Sequence, residues 1–183
     1  MITITIPAQE LYNEAENRFF NIETPVTVQL EHCLLSVSKW EMKWHIPFLN
    51  KEKKTKAQAI SYLHCMCLDP TIPEEVFFGV PVSEMDRVLK YIEDPMTATK
   101  INDKARSKKG NTGEVVTSEL IYYWMNECNI DMSCETWPLT RLMNLVEITS
   151  IKRQPEKKMS KRDIMSHNKS LNAIRRAKMG SLG

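Results

Sequence analysis

Among the side chains of this 183-residue chain that are able to do nucleophilic, acid–base or metal chemistry are five cysteines, four histidines and twenty-three carboxylates. Zinc takes its ligands in pairs, usually C-x₂₋₄-C or H-x₃₋₅-H, that aim two donors at one ion. Here His32 precedes Cys33, and His64 and Cys65 precede Cys67. On a helix, residues 65 and 67 stand about 200° apart and do not share a metal. Cys128 and Cys134 lie six apart and have the spacing for two ligands, but both equally suit burial. Glu119 with Glu127, or Glu31 with Glu41, are the carboxylate pairs open to acid–base work, against the commoner reading of each as a solvated helix face. A Ser or Cys nucleophile needs an oriented base, and no spacing supplies one; His32, His45 and His64 read as packing or surface residues. The five glycines (Gly79, Gly110, Gly113, Gly180 and Gly183) form neither GxGxxG nor GxxxxGK[ST], so no phosphate cradle is predicted. The expectation is a non-enzyme with no metal and no cofactor.

Lys158-Met-Ser-Lys161 resembles the KMSKS loop of class I aminoacyl-tRNA synthetases. That loop works opposite a HIGH-type motif on a nucleotide-binding sheet. His45-Ile-Pro-Phe48 lacks the glycine and the second histidine, and no alternation of strands and helices surrounds it. The match is a coincidence.

The elements that position these residues are mainly helical. Ile2, Ile4 and Ile6 alternate with threonines, and Val26, Val28 and Leu30 with Thr27 and Gln29, predicting two half-buried strands able to pair. Between them, around Phe19-Phe20-Asn21-Ile22, a short helix is expected. Cys33, Val37, Trp40 and Trp44 form a helical stripe stopped by Pro47, and Lys51-Glu-Lys-Lys54 reads as a solvated turn. Thr55 with Gln58 makes a T-x-x-Q capping box for a helix carrying Ile60, Leu63 and Cys67. Ser83 caps the next, with Met85, Val88, Leu89 and Ile92 on one face and Pro95 as its stop. Residues 100–114 read as a basic loop. Leu120 to Met125 is apolar nearly all round and is expected at the centre of the fold; Pro138 opens a helix carrying Leu142, Leu145, Val146 and Ile148. Ser160 with Asp163 starts a last, basic helix that ends near Gly180. The fold class is therefore mainly α: a compact helical domain over 1–151 with a small N-terminal two-stranded β element, and a basic C-terminal helical arm over 152–183.

Charge divides the same way. Residues 152–183 carry ten Lys or Arg against two acids, a net +8; the whole chain is +2, which leaves −6 on residues 1–151. The start has no basic leader or continuous apolar run, no stretch is long and apolar enough to span a bilayer, and an odd number of cysteines suits reduced thiols, so a cytoplasmic protein is expected. The basic arm has three readings: nucleic-acid phosphates, the acidic face of a partner or neighbouring copy, or a frayed solvated end. It contains no Phe, Tyr or Trp for base stacking, which favours protein. Trp40, Trp44, Tyr123 and Trp124 read as core, whereas Trp137, just before Pro138 in a polar connection, is a candidate anchor. Trp137, Arg141, Arg175 and Arg176 are the candidate partner-binding residues.

Several runs share a resemblance: Leu30-Glu-His-Cys-Leu-Leu-Ser-Val-Ser-Lys-Trp-Glu-Met-Lys-Trp-His45, Pro95-Met-Thr-Ala-Thr99, Thr117-Ser-Glu-Leu-Ile-Tyr-Tyr-Trp-Met125, Trp137-Pro-Leu-Thr-Arg-Leu-Met-Asn-Leu145 and Leu171-Asn-Ala-Ile-Arg-Arg-Ala-Lys-Met-Gly180. In this order, across roughly 26–183, they resemble the tail assembly chaperones of tailed bacteriophages and prophages. The resemblance implies a mostly helical, often oligomeric protein of the bacterial host cytoplasm that binds the tape-measure protein and recruits tail-tube subunits. It equally admits a minor structural component kept in the virion.

Overall fold

The structure is a computed structural model, and it describes residues 1–13, 17–50, 52–99, 115–153 and 161–179. About 58% of the described residues are helical, so mainly α holds, with antiparallel strands at the N-terminus. The chain divides into two units, 1–151 and 152–183.

In the first unit, β1 (Ile2–Ile6) pairs antiparallel with β4 (Val26–Leu30) in the register Ile4 opposite Val28. Period-two alternation sends Ile4, Ile6, Val28 and Leu30 into the core and leaves Thr3, Thr5, Thr27 and Gln29 outside. Between these strands the described residues around Phe19–Ile22 form a strand rather than the expected short helix. β2 (Gln9–Asn13) and β3 (Arg18–Ile22) form a second antiparallel pair, with Leu11 opposite Phe20 and Tyr12 opposite Phe19. Leu11, Phe19, Phe20 and Ile22 lack a 3.6-residue stripe, and the aromatic and β-branched types of Phe19, Phe20 and Ile22 favour the pleated surface. One face of this hairpin lies on the 3-10 helix Glu74–Gly79, where Gln9 Nε2 donates to the Gly79 carbonyl at 2.6 Å.

α1 (Leu34–Trp44) opens with a reciprocal cap between Cys33 and Ser36 and ends in a left-handed His45 at φ 54°, two residues before Pro47. Leu34, Val37 and Trp40 are fully buried, each worth about 1.5–3 kcal/mol of transfer free energy. The capping box of Thr55 and Gln58 opens α2 (Lys56–Met66) as its sequence predicts. α1 lies on α2 with both indole N–H groups satisfied: Trp40 donates to the Gln58 carbonyl at 2.9 Å and Trp44 to Ser61 Oγ at 3.2 Å. The connection between them is not a solvated turn throughout. Lys54 donates to the Phe48 carbonyl at 2.5 Å and stands 4.9 Å from the Phe48 ring centroid, while Phe48 stacks on Tyr62 at 4.0 Å. Desolvation holds the Lys54 ammonium below its ordinary pKa.

α3 (Val82–Glu93) starts one residue before Ser83, with Pro81 in the capping position, and only Val88 of its predicted face is buried; Leu89 is half exposed. α4 (Ser118–Glu127) departs from its expected central place: Ile121 and Met125 are buried while Tyr123 is 56% exposed. A 3-10 helix, Met132–Thr136, leads to α5 (Leu139–Arg153), which buries Leu139, Leu142 and Val146. Its start is fastened to the top of the sheet, where Leu139 N donates to the His32 carbonyl at 2.8 Å and Cys33 bridges Pro138.

The second unit holds α6 (Lys161–Met179). Ser160, the expected cap, and residues 100–114, the expected basic loop, lie outside the described residues. No helix among the described residues is long and apolar enough to cross a membrane.

Candidate partner-binding residues

Several chemistry-bearing side chains of the first unit hold the fold together. The Glu41 carboxylate, only 8% exposed, accepts from Phe48 N at 2.7 Å, Ser118 N at 2.7 Å and Ser118 Oγ at 2.5 Å. Glu31, also buried, accepts from the Tyr91 hydroxyl at 2.6 Å, and burial followed by that hydrogen bond pushes the phenol pKa up. These two glutamates are therefore neither a paired acid and base nor a solvated face: each satisfies donors from a different helix. Sequence spacing carried no signal for this, since the donors of Glu41 lie 7 and 77 residues away.

His32 is a core residue. Its Nδ1 is hydrogen-bonded to the Tyr62 hydroxyl, and desolvation lowers its pKa to about 4. Burial pushes the Tyr62 phenol up as well. His45 is exposed at the end of α1, and the half-exposed His64 stands 3.8 Å from Glu74. Burial raises the Cys65 and Cys67 thiols, away from the thiolate needed for nucleophilic or metal chemistry. Cys128 and Cys134 sit at the end of α4 and in the following 3-10 helix. Among the described residues no three His, Cys, Asp or Glu side chains converge on a point where a metal ion would sit.

An open concavity of about 550 Å³ lies between the end of α1 and the start of α4, lined by Ser38, Glu41, Met42, His45, Thr117 and Glu119 among others. Its one buried carboxylate is Glu41, both of whose oxygens already accept hydrogen bonds from Phe48 and Ser118.

Two of the four residues singled out from the sequence come together. Trp137 follows the 3-10 helix Met132–Thr136, donates its backbone N–H to the Cys134 carbonyl at 3.0 Å, and packs half-buried against the core. Arg141 is exposed in the first turn of α5, with its guanidinium 4.4 Å from the Trp137 ring centroid. A cation at a helix N-terminus meets the positive end of the macrodipole, so the helix itself does not favour Arg141 there. The Trp137 ring face does, through a cation–π contact. The result is a flat, amphipathic plate of the composition enriched at protein interfaces. Arg175 and Arg176 are exposed on α6, in the other unit.

No family model matches this chain, and no curated protein and no solved structure matches it.

Proposed function

We propose that this protein is a non-enzymatic tail assembly chaperone of a tailed bacteriophage, binding the tape-measure protein, the tail-tube protein or both during virion morphogenesis in the host cytoplasm. The observation that carries the protein-binding part of this reading is the division of charge. A net −6 lies on the unit with the packed core and a net +8 on the unit whose helix exposes its described side chains. Such a field steers an oppositely charged partner to the arm and sets its register. The Trp137–Arg141 plate adds a second contact of interface type on the body. The phage role comes from the resemblance of five sequence runs, most of which lie on α1, α4, α5 and α6. The buried His32, Glu31 and Glu41 have structural partners, which suits a protein that acts by contact.

The test is co-expression with the tail proteins of the same phage genome, then affinity capture and mass spectrometry. Retention of the tape-measure or tube subunit, with this chain missing from purified virions, is the expected result. Presence in purified virions instead makes it a minor structural component. Salt-sensitive retention of nucleic acid alone makes it a DNA-binding module and overturns the proposal.

A further inference from the structure

We draw no further inference here: the strongest candidate, the exposed Tyr12–Phe19 ring pair on the β2–β3 hairpin, is an apolar surface patch, and nothing in the structure shows what covers it.

Discussion

The Glu41 carboxylate in α1 holds the first residue of α4 twice, accepting from both the backbone N–H and the hydroxyl of Ser118 through Oε2. Its other oxygen takes the Phe48 N–H, so one buried side chain fixes two helices and the connection between α1 and α2. It also places a negative charge at the N-terminus of α4, where the macrodipole favours it. Glu41→Ala orphans two backbone donors and is expected to cost roughly 3 kcal/mol or more, with Ser118→Ala costing about 1–2 kcal/mol. Urea melts of both single variants and the double variant check this. Strictly additive losses would show that the two residues are not coupled.

Gly79 is where the β2–β3 hairpin meets the body. A Cβ there would stand 2.5 Å from Gln9 Nε2, 3.1 Å from Ile22 Cδ1 and 3.2 Å from Leu11 Cδ1. The Gln9 amide is not free to swing aside at no cost, because it donates to the carbonyl of Gly79 itself. Gly79→Ala is expected to destabilise by about 1–3 kcal/mol through overpacking and the lost hydrogen bond. Combining it with Gln9→Ala removes the closest clash, so the double variant is expected to melt above the sum of the two single losses. Full additivity would place the strain elsewhere.

His32 makes stability depend on pH. Its pKa falls from 6.5 in the unfolded chain to about 4 in the fold, chiefly by desolvation. Above pH 6.5 the ring is neutral in both states and contributes no pH dependence. Between 6.5 and 4 only the unfolded chain takes the proton, so stability falls with pH by roughly 3 kcal/mol in total, and the dependence levels off below 4. His32→Asn keeps a hydrogen-bonding group beside Tyr62 without a titrating ring. It is expected to flatten the urea midpoint over this window. An unchanged slope in the variant would assign the pH dependence to other groups.

Much of the first unit is legible in local pattern. Thr55-x-x-Gln58 announces a helix start, and the alternation of Ile2 to Ile6 and Val26 to Leu30 announces a sheet, because capping and pleating are decided within a few residues. What pattern does not reveal depends on partners distant in the chain. Tyr123 looks as apolar as Ile121, yet the side of α4 that meets the core is chosen by Ser118 docking on Glu41. Lys54 reads as one more solvated lysine until Phe48 and Trp40 arrive beneath it. The hairpin around Leu11 and Phe20 is set by the Gly79 surface it covers. Of the candidate partner residues, Trp137 and Arg141 meet across the start of α5, but Trp137 is extended backbone outside the helix, so the helical spacing rule does not give their pairing from the sequence.

Arg141→Ala removes the exposed half of the Trp137 plate while leaving the core beneath it. Its stability cost is expected to be small, about 0.5–1 kcal/mol for an exposed cation–π pair. The effect on capture of a tail protein in co-expression is expected to be larger, a several-fold loss, as for an interface Arg near an aromatic anchor. Arg141→Lys keeps the charge but not the planar stack, and should recover only part of the capture. Tryptophan emission of the free protein reports whether the ring environment has changed. Wild-type capture by Arg141→Ala would remove this plate from the interface.

Deletion of residues 152–183 separates the two units at their boundary. It takes only Lys152 and Arg153, both exposed, from the end of α5. The hydrophobic core of the body draws its members from residues 4 to 146, so the melting temperature of the truncated chain is expected to stay within about 3 °C of the full chain. Its net charge falls from +2 to −6, which removes the positive field that attracts an acidic partner. Capture of the client is expected to be lost, and Arg175→Glu/Arg176→Glu in the full chain is expected to reproduce most of that loss without shortening anything. A truncated chain that melts normally and retains its client would confine recognition to the body and leave the arm without a part in it.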